Sequence, residues 1–324
     1  MDCLEAEKEH SFQFAFDRAQ RNLRERFTRP QWFWTLQRAL GVGADGELKR
    51  DIAVIDDLVL GIITKSLHER ENNSNRQGAV NIISLFLDHV DQTTDEDKDE
   101  YNPRYLRDVV VTFVIAERDT TAQAMSWFFL ELSRHPEVVK KIRSEIQKEL
   151  PELYEGKIAA PSMERVQQLT YLEAALKESL RLHPSVPFTL KTAARDVVLS
   201  DGSFIHKGWD IGILGYSMGR MTYIWGPDAE EYKPERWIDP ETGKIIPISA
   251  FKFFSFNAGP RMCLGKNLAL MEMKIVAASI LSRFDIHVEN ERDVTYELSI
   301  TLPMRGKMQV GVSQAADTLS PQAY

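Results

Sequence analysis

The sequence predicts a mainly α-helical fold with minor β structure, on three observations. Apolar residues recur at helical spacing through most of the chain, which gives each segment one apolar face. The helical pattern over residues 105–134 is longer than an average globular helix, so we expect this helix to cross a whole domain. Signals for β structure are confined to short runs after residue 196, where β-branched residues surround turn-forming ones.

Helices are predicted on both sides of one polar loop. Residues 12–19, residues 32–40 and residues 52–63 carry apolar side chains at helical spacing, and Gly41 ends the second of these segments. We expect these helices to pack on a core. The acidic run D-Q-T-T-D-E-D-K-D at residues 91–99 is typical of a solvated loop.

Shorter elements follow the long helix. Residues 137–150 form an amphipathic pattern, and the helix over residues 171–182 must end before Pro184, because the residue before proline disfavours helical geometry. Around Asp201-Gly202, β-branched residues predict a hairpin over residues 197–208.

The C-terminal part continues with three further segments. Residues 228–240 are rich in turn signals, and short strand-like runs begin at residue 295. Between them, the last helix over residues 266–284 is apolar around most of its circumference, which predicts burial. We expect residues 1–324 to form a single domain.

Composition and charge exclude several classes of protein. A chain of 324 residues with 43% hydrophobic residues is long enough to bury a large core. Its net charge of -8 offers no basic surface for nucleic acid. Only two cysteines occur, which excludes a disulfide scaffold and favours a reducing compartment. The sequence shows neither a signal peptide nor an apolar run long enough to span a bilayer.

The segment F-N-A-G-P-R-M-C-L-G at residues 256–265 carries the strongest signal for chemistry. Cys263 directly precedes the last predicted helix, whose positive dipole end and free N–H groups stabilise a thiolate. Gly259 and Gly265 allow a tight turn and the close approach of a flat ligand, and Arg261 can pair with an anionic substituent. Phe256 can shield the sulfur from water. A buried structural thiol is the alternative for a cysteine taken alone.

The spacing F-x-x-G-x-R-x-C-x-G resembles the haem-binding signature of the cytochrome P-450 family at every fixed position. The resemblance implies the C-terminal portion of the P-450 fold, which binds haem b (iron protoporphyrin IX) through Cys263 as the axial iron ligand. Phe256, Gly259, Arg261 and Gly265 then line the cofactor. Members of this family insert one oxygen atom of dioxygen into a C–H bond and release the other as water.

Two further motifs resemble the structural core of the same family. Glu178 and Arg181 form an E-x-x-R pattern on one helix face, and Arg236 lies in the segment P-E-R-W. In isolation, such a pair is more often a surface ion pair of little energetic consequence. The resemblance implies a network of three charges that holds the chain beneath the haem, with a structural and not a catalytic role.

The long helix contains A-E-R-D-T-T at residues 116–121, which resembles the oxygen-activation segment of the family. Asp119 and Thr120 match the acid and the alcohol that deliver protons into a largely dry pocket. The alternative is that both side chains only hydrogen-bond to their own helix. The sequence departs from the family at Glu117, where glycine is usual, and a carboxylate there is expected to intrude on the space above the iron.

Outside these motifs, several segments resemble the fatty-acid ω-hydroxylase branch of the family, among them Y-S-M-G-R-M at residues 216–221. By position, this resemblance implies that a largely apolar pocket suited to an alkyl chain is lined by Val114, Glu117, Phe188, Thr189, Ile300 and Thr301. Ordinary core packing is the alternative for each apolar member.

The resemblance begins partway through the family fold, so we expect an N-terminally truncated domain without the membrane anchor of full-length relatives. It implies a monooxygenase that hydroxylates a fatty acid or related lipid, with electrons from NADPH supplied by a reductase. It also implies a location at the cytosolic face of the endoplasmic reticulum membrane, by analogy alone.

Two other functions are compatible with the same residues. One is a non-catalytic haem- or lipid-binding truncated paralogue, which Glu117 and the missing region favour. The other is a haem-thiolate isomerase or dehydratase of lipid hydroperoxides, which needs no reductase. The Asp119-Thr120 pair favours the monooxygenase over the latter, because only the monooxygenase must protonate dioxygen.

Overall fold

The computed structural model describes residues 11–72, 103–297 and 299–315. It is mainly helical with small antiparallel sheets, which confirms the predicted fold class. The chain divides into two compact units, residues 1–116 and residues 117–324. The predicted acidic loop at residues 91–99 lies outside the described residues.

The first unit is built on the packing of its first helix against its third. Its elements are α1 (Ser11–Thr28), α2 (Gln31–Leu40), α3 (Gly43–Asn72) and the start of α4 (Pro103–Arg134). Apolar side chains from α1, α3 and α4 form its core: Phe12, Ala15, Phe16, Ala19, Leu48, Ile55, Val59, Ile63 and Leu106. Arg18 and Arg26 of α1 form ion pairs with Asp51 and Asp45 of α3, respectively. The expectation that every early helix packs on a core is wrong for α2, which buries no residue.

The second unit contains the rest of α4 and the α-helices that follow it. These are α5 (Pro136–Glu149), α6 (Pro151–Tyr154), α7 (Thr170–Leu182), α8 (Gly215–Met218), α9 (Thr222–Trp225) and α10 (Lys266–Leu281). Ala124 and Phe128 of α4, Ile142 of α5, Leu176 of α7 and Ala277 of α10 belong to one buried cluster. The predicted long helix and the two that follow it are therefore confirmed, and α7 lies at the centre of their packing.

Four two-stranded antiparallel sheets are described. β1 (Thr189–Thr192) pairs with β4 (Asp210–Ile213), and β2 (Val197–Val198) pairs with β3 (Phe204–Ile205) as the predicted hairpin. β5 (Phe284–Val288) pairs with β8 (Val310–Gln314), and β6 (Thr295–Tyr296) pairs with β7 (Met304–Arg305). Val288 of β5, Tyr296 of β6 and Met304 of β7 pack in one cluster with Trp127 and Leu130 of α4. The sheets that contain these strands therefore lie close to α4.

The last helix differs from its prediction in length and in burial. It ends at Leu281, and Phe284 starts β5 instead, because that residue pairs with Gln314. Leu268 and Val276 are exposed on one side of α10, whereas the cation Lys274 is buried on the other and donates to Glu173. The prediction that this helix is buried around most of its circumference is therefore wrong on the side of Leu268 and Val276.

Candidate functional site

Cys263 lies in a short loop that ends at the start of α10. Two single-turn helices, Phe254–Phe256 and Gly259–Arg261, precede it. The backbone N–H of Cys263 donates to the carbonyl of Phe256 over 2.8 Å, which closes the loop on itself. Gly259 has a φ of 67°, a left-handed conformation that favours glycine, so this position explains one fixed residue of the motif.

The thiol of Cys263 is exposed beside a helix N-terminus. Gly265 is the N-cap of α10, and the first turn of that helix contains no acidic residue. The positive end of the helix dipole therefore lies beside the thiol, and no carboxylate in the first turn neutralises it. A methyl group added at Gly265 would lie 4.0 Å from the sulfur, so glycine leaves this side of Cys263 open.

The residues next to Cys263 are exposed as well. Met262 is 51% and Leu264 91% exposed, values that are high for apolar side chains. Arg261 is also exposed, and it forms no ion pair with any residue in the described ranges. This face of the loop therefore offers a thiol, apolar surface and one available guanidinium to a ligand.

A buried ion-pair network lies behind the loop. Arg181 donates to Glu178 through two hydrogen bonds of 2.8 Å, and Arg236 donates to the same carboxylate over 3.3 Å. The indole N–H of Trp237 donates to Glu178 over 2.9 Å. Arg236 also holds Asp228, and this hydrogen bond, followed by that from Lys233, lowers the pKa of Asp228 to about 2.

Aromatic packing connects this network to the loop. The ring of Trp237 packs edge-on against Phe253 at 4.7 Å between centroids, and Phe253 packs against Phe256 at 6.1 Å. Ser255 donates to the carbonyl of Leu180 in α7 over 2.7 Å. The Cys263 loop is thereby fixed to the helix that carries Glu178 and Arg181.

Asp119 and Thr120 lie on α4, where both are partly buried. Arg118 forms an ion pair with Asp119 at 3.1 Å. The carbonyl of Thr120 accepts a hydrogen bond from the hydroxyl of Ser185 over 2.7 Å, which ties this part of α4 to the segment after α7.

Glu117, the departure from the family pattern, is exposed on the same helix. It lies close enough to Glu272 of α10 to act on it electrostatically. Burial, and then the charge of Glu117, raise the pKa of Glu272. The charges of these two carboxyl groups therefore interact between α4 and α10.

The residues predicted to line a substrate pocket belong to both compact units. Val114 is partly buried against the core of the first unit. In the second unit, Phe188 is 45% exposed and its ring covers Gly212 of β4, while Thr189 lies in β1. Ile300 is 40% exposed, and the hydroxyl of Thr301 accepts a hydrogen bond from Gln123 over 2.9 Å.

The sequence did not indicate a second polar cluster at the far end of α4. His183 lies between Glu131 and Tyr296, at 2.9 Å from each, and its ring stacks on Trp127 at 4.6 Å. Glu131, His183 and Tyr296 border a cleft of about 610 Å³, whose other lining residues are Arg134, His135, Leu182, Arg220, Glu230, Glu231 and Tyr232. In the sequence, His183 shows only as the residue between Leu182 and Pro184, so no spacing rule finds it.

Two classes of site are not found within the described ranges. There, no group of three or more His, Cys, Asp or Glu side chains is arranged to hold a metal ion directly. Nor does any helix in these ranges combine the length and the apolar character needed to cross a bilayer.

Comparisons with known proteins agree on one family. The sequence profile described as Cytochrome P450 matches residues 1–308. Cytochrome P450 CYP94D109 of Paris polyphylla is 36% identical over 94% of this chain, and Cytochrome P450 94C1 of Arabidopsis thaliana is 37% identical over 97%. Alkane hydroxylase MAH1 of Arabidopsis thaliana is 34% identical over 89% of this chain. The aligned regions cover 59%, 61% and 56% of these three relatives, so the chain spans only part of their length.

Proposed function

The chain belongs to the cytochrome P450 family, and from this premise we propose that the protein is a haem-thiolate monooxygenase that hydroxylates a fatty acid or related lipid. The exposed thiol of Cys263 at the start of α10 carries the proposal. Similarity to an alkane hydroxylase supports a substrate with a long apolar chain. Electrons come from NADPH through a reductase, and the protein works at the cytosolic face of the endoplasmic reticulum membrane.

The residues around Cys263 fit a thiolate-ligated haem. The thiol is open to solvent, and Gly265 leaves the space beside the sulfur free of a side chain. Arg261 is available to pair with a propionate, and Met262 and Leu264 offer apolar surface to a macrocycle. Bound there, haem supplies the activation of dioxygen, whose cleavage leaves one oxygen atom in the substrate and one in water.

In this proposal, Phe256 and Gly259 shape the loop, and Cys263 would supply the thiolate that binds the haem iron. The hydrogen bond from the Cys263 N–H to the Phe256 carbonyl keeps the backbone of Cys263 at a fixed position next to α10. Glu178, Arg181 and Arg236 hold the surrounding chain without contact to reacting atoms. Their burial makes the loop a rigid support for an iron ligand.

Asp119 and Thr120 have the role of proton delivery. Cleavage of dioxygen consumes two protons, and a carboxyl followed by a hydroxyl on one helix turn can supply them to a pocket that excludes bulk water. The ion pair with Arg118 holds the Asp119 carboxylate, and the hydrogen bond from Ser185 fixes the backbone at Thr120. Phe188, Thr189, Ile300 and Thr301 of the second unit are proposed to contact the lipid chain.

One observation favours a second function, a haem or lipid binder without turnover. Glu117 places a carboxylate one turn before Thr120, where the family usually has glycine, and a second carboxylate, Glu272, lies close to it. Exchange of Glu117 for Gly distinguishes the two functions. A gain of turnover by the variant favours the binder for the natural chain, whereas turnover by the natural chain excludes it.

The ligand assignment is tested by the reduced carbon monoxide difference spectrum of the purified chain after addition of haem. We expect the Soret band that is typical of thiolate ligation, and its loss in Cys263→Ala. Cys3→Ala is the matched control, because it removes the other cysteine of the chain and should retain the band. A chain that takes up no haem contradicts the proposal. Spectral titration with long-chain fatty acids then tests the substrate class.

A further inference from the structure

Gln123 of α4 has a buried amide oxygen without a partner. Its Nε2 atom donates to the hydroxyl oxygen of Thr301 over 2.9 Å, while Oε1 is buried and accepts no hydrogen bond. If the amide is turned over, Nε2 becomes the atom without a partner, so one polar atom stays unsatisfied either way. Such a group is costly when buried and is rare in native proteins, so it indicates a missing partner.

Thr301 provides the complementary group. Its oxygen accepts the hydrogen bond from Gln123, so its own O–H is free to donate elsewhere. Gln123 and Thr301 together therefore present one acceptor and one donor side by side. A hydroxyl group, which both donates and accepts, satisfies the two at once.

The neighbouring hydrogen bonds fix this pair in place. The indole N–H of Trp127 donates to the carbonyl of Leu302 over 2.8 Å, and the N–H of Leu302 donates to the carbonyl of Ser185 over 2.9 Å. Ser185 in turn donates through its hydroxyl to the carbonyl of Thr120. The segment with Thr301 is thus held against α4 on both sides of the pair, independently of Gln123.

The pair also lies next to the residues proposed to deliver protons. Gln123 follows Thr120 by three residues, so both side chains lie on the same face of α4, one turn apart. A ligand oxygen bound by Gln123 and Thr301 is therefore close to the end of the chain that reacts.

We propose that Gln123 and Thr301 form a hydroxyl-binding subsite that selects lipid chains already carrying a hydroxyl near the reacting end. This inference rests on the proposed function and adds a substrate preference to it. A chain that ends in a methyl group leaves the Gln123 amide unsatisfied, whereas a hydroxylated chain satisfies it. Sites built to hydrogen-bond a hydroxyl discriminate strongly against analogues that lack it.

The test compares the binding of dodecanoic acid and its ω-hydroxy derivative to the purified chain by titration calorimetry. We expect the hydroxylated acid to bind at least about ten-fold more tightly, since it satisfies a buried acceptor. Gln123→Leu and Thr301→Val should each remove this preference, so that the two acids bind with about equal affinity. Ser126→Ala is the matched control, because its hydroxyl donates only to Ala122 of its own helix turn, and this variant should retain the preference.

The outcomes separate this inference from the proposed function. Equal affinity for the two acids overturns the subsite, indicates that a water molecule satisfies Gln123, and leaves lipid binding intact. A preference that survives in both Gln123→Leu and Thr301→Val also overturns it. If neither acid binds, both the lipid substrate and the subsite are overturned. If Gln123→Leu fails to fold, Thr301→Val, which keeps the shape of the side chain, gives the result alone.

Discussion

Arg181 and Glu178 form a fully buried ion pair with two parallel hydrogen bonds, from Nε to Oε2 and from Nη2 to Oε1, each 2.8 Å long. The other donors of Arg181 reach the backbone carbonyls of Gly219, Ala229 and Glu231. One guanidinium therefore ties α7 to the long connection that follows α8. A flat group with five donors in a fixed arrangement suits this position, and an ammonium does not.

We expect Arg181→Lys to destabilise the protein by about 3–5 kcal/mol, because a lysine cannot make the paired hydrogen bonds and leaves the buried Glu178 poorly compensated. Urea unfolding followed by circular dichroism measures the change. The control is Arg165→Lys, since Arg165 pairs with Glu152 while these side chains are 40% and 49% exposed, and its effect should stay below about 1 kcal/mol. Equal losses of unfolding free energy in the two variants would contradict the structural role of Arg181.

Gly219 is expected to be intolerant of any side chain. A methyl group at this position would lie 2.1 Å from the carbonyl oxygen of Arg181, and a backbone atom cannot move aside cheaply. Gly219→Ala should therefore cost about 1–3 kcal/mol or more in the same unfolding assay. Gly61→Ala is the control, because Gly61 lies inside α3 with nothing within 4 Å, and this exchange should stabilise by roughly 0.5–1 kcal/mol. A neutral Gly219→Ala variant would mean that the connection after α8 can shift.

The local motifs could be predicted from the sequence because their chemistry is short-range. The helix over residues 171–182 follows from apolar spacing and from Pro184, and the position of Cys263 before α10 follows from the change from glycines to a helical pattern. The hairpin at Asp201-Gly202 depends on two adjacent residues. In each case the residues that decide the structure lie within a few positions of one another.

Contacts between distant positions could not be predicted in this way. Gln123 and Thr301 are separated by 178 residues, and His183 and Tyr296 by 113. No periodicity links such pairs. The burial of Lys274 was missed because the apolar pattern of α10 gave no sign that Glu173 of another helix accepts its charge. Polar residues inside a core depend on partners that only the folded chain brings together.

Exchange of Glu117 for Gln should lower the pKa of Glu272. Burial is the larger cause that raises this pKa, and the charge of Glu117 is the second, so the value should fall towards its usual range without reaching it. Carboxyl-carbon NMR titration of Glu272 measures the change. Glu137→Gln, at the exposed start of α5, removes a charge from another surface and should leave the titration unaltered. An unchanged Glu272 in the Glu117 variant would show that the two carboxyl groups do not interact.

His183 should make the stability of the protein depend on pH in the mildly acidic range. Burial lowers its pKa below the ordinary value of 6.5 despite the hydrogen bond and the charge of Glu131, and the charges of Arg220 and Arg134 act in the same direction as burial. Burial alone would raise the pKa of Glu131, but the hydrogen bond from His183 and the charges around it lower the value overall. The folded state thus holds a neutral imidazole, which donates from Nε2 to the ionised Glu131 and accepts at Nδ1 from the hydroxyl of Tyr296.

Because the unfolded chain binds this proton more readily, the contribution of His183 is present above pH 6.5 and is lost as the pH falls from 6.5 towards the lower folded value. We expect the free energy of unfolding to decrease as the pH falls below about 6.5. His183→Gln should flatten this slope, whereas His206→Gln, at an exposed position in the turn before β4, should preserve it. An equal slope in both variants would mean that His183 takes up its proton as easily in the folded protein as in the unfolded chain, and the neutral Glu131–His183–Tyr296 chain would then be wrong.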